Sequence, residues 1–569
     1  MTDLLTTVAI VFIVAGPFLL VANRFQLPTV PLLILAGVVA GPFIDEELTL
    51  ELAQYGIALL VFSFGVSVQF SGVRTVFLDS EVVALGQILV VGSLGVGFGL
   101  VFGVPVEEAI YLGIAAALSS TIVGTSLFQT EIRRDLVRGR LAEAIHLGQD
   151  LLAIVLILVL AAETLALGQV APLVAYGLGL VVAAVLVNRY LFDVIGEFAG
   201  DSDELMIVSV ISLLVVFVGA AEFAGVSIVV GAFAAGLAVR HDPVEYLGLF
   251  NGLESVRDFF VAIFFVTIGA LVVLPFVEIG WNESVEKLLL TGGIVLLTAV
   301  VKPAITTGIL IYQGYETRTA TLTSLNTDQV SEFSLIIAIE AALLGVLSPS
   351  LFDAIILAAA VTMVTSTITG SYNEKIYRVL ATHGVLDGTH RKIDEWSDVP
   401  QNTSDHVIVV GYGRQGRQLV EACEDLDQPY VVIENDPVRR DEVVSECDAF
   451  VFGDAMERYT WEKANVETAR IAVSTVDSDP VSRRILSFEF DADVTLRASD
   501  EETALDLLEE GALYVTVPEL LAGQRLTQYV QELLEGDLTP EELREERMAV
   551  LEERPRVGHP DSTNAPVTR

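Results

Sequence analysis

Cysteine is nearly absent: Cys423 and Cys447 are the two in 569 residues, too few for a disulfide framework or a thiolate metal site. Both read as packing residues, and no metal cofactor is expected. Basic residues are scarce as well, 32 Lys and Arg against 74 Asp and Glu, for a net charge of −42. That deficit argues against nucleic acid as a partner, because phosphate binding needs a cationic surface. It is spread along the chain, −19 before residue 379 and −23 after it, so it is not one acidic tail. Such a surface suits solubility in concentrated salt, where screening acts over a few ångströms, and it points to a halophilic source.

What the chain has in abundance is apolar sequence, 53% of its residues. Thirteen stretches before residue 371 approach the roughly 17–25 residues that cross a hydrocarbon core of about 30 Å. They are Leu4–Ala22, Val30–Ile44, Leu52–Phe70, Val82–Val104, Ala109–Phe128, Leu141–Ala162, Ala171–Val187, Leu205–Ala221, Phe223–Val239, Phe259–Phe276, Leu288–Ile311, Ala320–Leu347 and Leu351–Ile368. No basic residue precedes the first, and it outruns a signal-peptide core, so it is read as a retained span. Cytoplasmic loops keep Lys and Arg. Placing the N-terminus outside puts Arg24, Arg74, Arg133, Arg134, Arg138, Arg140, Arg189, Arg240, Arg257, Arg318, Lys375 and Arg378 inside, and only Lys287 outside. The expected protein is a multi-pass cell-membrane protein with a cytoplasmic C-terminus.

Residues 372–404 are polar and read as a linker after a membrane domain of 1–371. From 405 to 534, short β-branched runs alternate with amphipathic helices: Val407–Val410, Tyr430–Ile433, Ala449–Phe452, Ile471–Ser474, Val494–Arg497 and Leu513–Thr516. That alternation predicts an α/β Rossmann-like domain with a parallel sheet. Thr539-Pro540-Glu541-Glu542 predicts the capped start of a charged helix within 535–569, followed beyond Arg554 by a disordered tail.

Ionisable groups inside a span are functional candidates by default. Asp150 lies deep in the sixth span beside Gln149, and Glu143, His146 and Asp150 follow i, i+3, i+7, one face of a helix. Lys302 lies inside the eleventh span; it either pairs with Asp150 or holds helix ends together. His146 is either a pathway residue and pH sensor or a neutral packing residue. Two spans carry polar interruptions, Ser119-Ser120-Thr121 in the fifth and Thr327-Asp328-Gln329 with Ser331 and Glu332 in the twelfth. Spans four to six and eleven to thirteen form triplets of opposite orientation with a broken middle member. Inverted repeats with crossed broken helices are the pattern of a secondary transporter with a midplane site.

These residues resemble the Kef-type branch of the cation:proton antiporter-2 family. The likeness rests on Leu118-Ser119-Ser120-Thr121, Gln149-Asp150, the run Gly231 to Leu237, Phe264 to Gly269, Lys302, and Gln329 to Phe333 with its Glu332-Phe333. It implies a shared site for a monovalent cation and a proton at Asp150, with Thr121 where the broken helices cross and Lys302 as a stabilising partner. It implies K+ or Na+ and H+ as substrates, a panel and a core that alternate access in elevator fashion, and a homodimer. The third span departs from the pattern, reading Phe64-Gly65-Val66-Ser67-Val68-Gln69 where family members carry an acid; His146 and Asp328 stand where uncharged residues are usual. One carboxylate that takes either a cation or a proton predicts one-for-one, electroneutral exchange.

After the strand ending at Val410 comes Gly411-Tyr412-Gly413-Arg414-Gln415-Gly416, with Glu434 ending the next strand. In that context the glycines admit phosphates to a helix N-terminus and the acid suits ribose hydroxyls. The segment resembles the RCK N-terminal (TrkA-N) domain through this loop, Glu434 and Gly453-Asp454-Ala455, implying AMP, ATP or NAD(H) as a regulatory ligand. Gly411, Gly413, Arg414, Gly416, Glu434 and Asp454 are its candidate contacts. No hydride-handling or substrate residue is evident, so no enzyme is expected. A nucleotide-gated K+ channel is the alternative, and it lacks a TVGYG-like filter.

Overall fold

The computed structural model describes residues 4–552 except 26–27, 45, 69–75, 130–131, 133–136, 161–166, 200–201, 241–246, 278, 384–392, 394, 401–402 and 437–438. The expected tail beyond Arg554 lies outside the described residues. The chain divides into two compact units, Met1–Asp387 and Gly388–Arg569.

The first unit is helical. Its helices are α1 Leu4–Phe25, α2 Thr29–Ala40, α3 Glu46–Ser67, α4 Leu78–Val101, α5a Val106–Ala117 with α5b Thr121–Leu127, α6 Val137–Leu160 and α7 Val170–Ala199. They continue as α8 Asp203–Phe223, α9 Ile228–Leu237, α10 Leu247–Ala270, α11 Trp281–Gln313, α12a Thr317–Ser324 with α12b Glu332–Leu343, and α13 Pro349–Thr382. Each expected apolar stretch coincides with one of these helices or broken pairs. Among the described residues nine helices are long and apolar enough to cross a membrane, and two shorter apolar helices cover 29–43 and 228–237. Helix α10 starts at Leu247 rather than Phe259, because Glu254, Arg257 and Asp258 interrupt the hydropathy without interrupting the helix. Helix α13 runs past residue 371 to Thr382, so the start of the expected linker is helical.

Packing sorts the helices into two groups. Helices α1, α2, α3, α8, α9 and α10 pack mainly on one another, as do α4, α5, α6, α11, α12 and α13, while α7 touches both α6 and α9, and the groups meet directly where α2 contacts α13 and α6 contacts α9. Glycine decides how tightly. A Cβ at Gly37 would fall 2.1 Å from the Val266 carbonyl oxygen and one at Gly236 2.3 Å from that of Phe62, so α2 meets α10 and α3 meets α9 backbone to backbone. In the second group Gly113 approaches the Gly92 carbonyl in the same way, with a Cβ distance of 2.4 Å. Among the described glycines, every such approach to another helix's backbone under 3.0 Å lies within one group. Within a group, helices interlock where only hydrogen fits; between groups, side chains make the seam.

The second unit is a six-stranded parallel sheet in the order β3-β2-β1-β4-β5-β6. Its strands are β1 His406–Val410, β2 Tyr430–Glu434, β3 Phe450–Phe452, β4 Ala469–Ser474, β5 Asp493–Arg497 and β6 Tyr514–Thr516. Helix α14, Arg414–Asp425, follows β1. The order reverses between β1 and β4, where open α/β sheets form their ligand crevice. Cys423 and Cys447 are free and buried in this unit's core. The last helix, Pro540–Glu552, starts on a reciprocal cap: the Glu542 amide donates to Thr539 Oγ1 at 3.2 Å, and Thr539 N–H donates to the Glu542 carboxylate at 2.9 Å.

Candidate functional site

Both broken helices stop where the polar runs predict, and several of the freed backbone groups have side-chain partners. After α5a, Leu118 turns extended and Ser120 caps α5b by accepting from Val123 N–H at 3.2 Å. After α12a, a 3₁₀ turn at Leu325–Thr327 leads to Ser331, which caps α12b by accepting from Phe333 N–H at 3.0 Å. The residue before each cap donates its N–H to the helix that follows in its own repeat. Ser119 N–H reaches Gln149 Oε1 on α6 at 2.8 Å, and Val330 N–H reaches Thr362 Oγ1 on α13 at 3.0 Å. The repeat is therefore visible in the hydrogen bonds as well as the helix order.

The breaks also hold each other. Ser119 Oγ donates to the Thr327 carbonyl at 3.0 Å, and Gln329 Nε2 donates to the Ser120 carbonyl at 3.1 Å. Lys302, fully buried on α11, donates to the Leu118 carbonyl and to the Gln329 carbonyl, both at 2.9 Å. It forms no ion pair with Asp150; of the two sequence readings, the geometry matches the one that holds helix ends. Its charge sits where the C-terminal ends of two half-helices gather negative potential.

The carboxylates sit at the opposite poles. Thr121 Oγ1, at the start of α5b, donates to Asp150 Oδ2 at 2.5 Å, and the next N–H, of Ile122, reaches Glu332 Oε1 at 3.3 Å. One turn of one half-helix thus gathers Asp150 from α6 and Glu332 from α12b. Both are buried, and Asp150 Oδ1 and Glu332 Oε2 have no hydrogen-bond partner. Thr121 and Glu332 reach a cavity of about 710 Å³ between the helix groups, whose walls include Ser63, Ser67, Thr125, Glu143, Arg257 and Asp258.

The expected polar track on α6 divides. Glu143 lines the cavity, whereas the His146 ring lies against Gly124 of α5b, so close that a Cβ there would fall 2.3 Å from its Cε1. Asp328 is buried and accepts from Thr369 Oγ1 at 2.5 Å.

Sequence reasoning passed over Gln87. It opens a π-helical turn, Gln87–Val91, in α4; it accepts from Gln149 Nε2 and donates to Thr306 Oγ1 at 2.5 Å and Thr327 Oγ1 at 3.3 Å. A matching π turn, Leu297–Val301, stands in α11 just before Lys302, and its Thr298 donates to the Ala116 carbonyl at 3.2 Å. Such turns redirect side chains inside a helix and recur at functional sites. The available signal was a long polar side chain alone in the apolar stretch Val82–Val104.

In the second unit, Gly411 has φ +87, a left-handed conformation that favours glycine. A Cβ at Gly416 would fall 1.9 Å from the Gly411 carbonyl oxygen, so α14 starts hard against the loop with Arg414 exposed at its first turn. Glu434 is tied into the loop. Its carboxylate accepts from Tyr412 N–H at 2.7 Å, Asn435 N–H at 2.8 Å and Asp436 N–H at 3.0 Å, while burial and the Asp436 carboxylate push its pKa up. Asp454 Oδ1 accepts from Met456 N–H at 2.9 Å, and Arg439, not singled out from sequence, donates to the Tyr412 carbonyl at 2.9 Å.

These two arrangements agree with the comparisons to known proteins. The transmembrane sodium/hydrogen exchanger family matches residues 8–371, and the TrkA-N domain matches residues 407–518. The putative cation/proton antiporter YbaL of Escherichia coli (strain K12) is 26% identical, over 94% of this chain and 98% of its own. The glutathione-regulated potassium-efflux system protein KefC of Salmonella schwarzengrund is 26% identical, over 82% of this chain and 74% of its own. The sodium proton antiporter MjNhaP1 of Methanocaldococcus jannaschii shares the fold, with a TM-score of 0.51 at 15% identity, over 66% of this chain and 97% of that one. With the family match covering most of its length, the chain belongs to the sodium/hydrogen exchanger family and carries a TrkA-N domain after its membrane region.

Proposed function

We propose that this protein exchanges K+ or Na+ for protons across the cell membrane, with Asp150 as the group that takes either ion. One observation carries the reading: at the crossing of two broken helices, Asp150 is buried, held through one oxygen by Thr121, and has its other oxygen unpartnered. A buried carboxylate offering a free oxygen beside a hydroxyl oxygen is a ligand set for a small cation, and its protonated form carries the same net charge as its cation-bound form. Gln149, Ser120 and Lys302 fix the backbone around it, and Glu332 supplies a second carboxylate on the cavity side. His146 positions α5b through Gly124. K+ is favoured among substrates because relatives over most of the chain are named for K+ efflux, one as a putative K+ efflux antiporter and one as a potassium-efflux system protein.

Movement is of the elevator type: the group of α4–α6 and α11–α13 slides against the other, a reading supported by the glycine-mediated backbone approaches lying within one group or the other. The C-terminus lies in the cytoplasm and the cavity faces that side, a reading supported by the distribution of Lys and Arg among the loops. AMP, ATP or NAD(H) binds over Gly411, Gly413, Arg414 and Gly416, near Glu434 and Asp454, and biases the transport equilibrium. The exchanger works as a homodimer. Purified protein in proteoliposomes tests the reading: an outward K+ or Na+ gradient moves protons inward, Asp150→Asn abolishes that movement, and nucleotide alters its rate. Cation flux without any counterflow of protons favours a channel instead.

A further inference from the structure

Helix α12b carries two carboxylates that meet opposite surroundings. Glu332 at its start faces the cavity of about 710 Å³. Glu340, eight residues and about 12 Å further along the helix, borders a gap of about 10 Å³ within its own helix group, lined by Tyr111, Ile157, Leu160, Ile337 and Leu344. There the two helix groups touch through a polar contact: Ser227 Oγ, on the residue that caps α9, donates to Glu340 Oε1 at 2.9 Å. Ser227 belongs to the α1–α3 and α8–α10 group, and Glu340 to the other. The same hydroxyl accepts from Val229 N–H at 3.2 Å, so the carboxylate is anchored at the N-terminal end of α9.

We infer that the Ser227–Glu340 contact is the closed gate on the face opposite the cavity, made in this state and broken each time the site turns to that face. A hydrogen bond at 2.9 Å does not survive a relative displacement much above about 1 Å, so any slide of one group past the other releases it. The inference rests on the exchange reading above, and its test separates the two.

The test uses the full-length Ser227→Cys, Glu340→Cys double variant in proteoliposomes, treated with a short bifunctional thiosulfonate that reductant cleaves. Cross-linking, verified by mass, lowers cation-driven proton movement at least tenfold; reductant restores it, and the single variants are insensitive. A verified cross-linked protein that exchanges as fast as the same protein after reductant overturns the gate while leaving the exchange reading intact. Absence of cation-driven proton movement in the untreated wild type overturns the exchange reading itself. Should the double variant be inactive before treatment, Ser227→Cys alone decides. A membrane-impermeant maleimide labels it at least tenfold faster under opposed cation and proton gradients than without them, and equal rates overturn the gate.

Discussion

Replacing Lys302 with Met removes a buried ammonium that serves two helix ends at once, and its cost follows from the two bonds. Leaving the Leu118 and Gln329 carbonyls buried without a donor costs about 1–3 kcal/mol each, and loss of the cation between two helix C-termini adds up to about 2 kcal/mol. Relief from burying the charge offsets part of this. A net loss of about 3 kcal/mol is expected in reversible unfolding in mixed micelles. The discriminating measurement is the double-mutant cycle with Asp150→Asn. If Lys302 were the ion partner of Asp150, charges about 4 Å apart would couple by about 4 kcal/mol at an effective dielectric near 20. Because Lys302 instead spends its bonds on the two carbonyls, the coupling is expected below about 1 kcal/mol. A coupling above about 2 kcal/mol would refute the helix-end assignment.

Gly124→Ala drives a methyl group into the His146 ring and is expected to cost about 1–3 kcal/mol; His146→Ala made with it should recover most of the loss in the same unfolding assay. Lys287 on α11 and Asp353 on α13 form a buried ion pair at 2.5 Å, so Lys287→Met alone should destabilise by about 3–5 kcal/mol. Joint replacement with Asp353→Leu should be much milder. In the second unit, burial holds the His406 imidazole below its ordinary pKa, with Nε2 at 2.9 Å from the Ala464 carbonyl oxygen. Its folded pKa lies below its unfolded one, so its stabilising contribution is complete above about pH 6.5 and is lost as pH falls. The slope is at most about 1.4 kcal/mol per pH unit. Calorimetry of the full chain from pH 8 to 5 should show this decline in the C-terminal unit's transition, reduced in His406→Gln.

Much of this molecule was legible in the sequence because membrane burial imposes coarse rules. Apolar length located the described long helices of the membrane unit, and polar runs at 119–121 and 327–332 located both breaks, since unwound backbone in a span needs polar partners. The glycine loop and the six β-branched runs gave the parallel sheet for the same local reasons. What stayed hidden depends on which helices touch. Whether Lys302 faces Asp150 or a pair of carbonyls turns on a π turn one residue before it, which composition does not encode. Gln87 looked like one polar residue in an apolar helix, and only the fold joins it to Gln149, Thr306 and Thr327. Glu143, His146 and Asp150 share a helical period, yet Gly124 draws the histidine onto a neighbouring half-helix while Glu143 faces the cavity. Glu340 carried no motif at all; its meaning comes from Ser227 across the seam.

The central claim is that one carboxylate binds a cation or a proton but not both, and proton release on cation binding tests it most directly. Purified protein in weakly buffered detergent solution, titrated with K+ and with Na+, is predicted to release about one proton per chain at saturation for the ion it carries. Asp150→Asn is predicted to release none. Equal release from wild type and Asp150→Asn would contradict the assignment of exchange to Asp150.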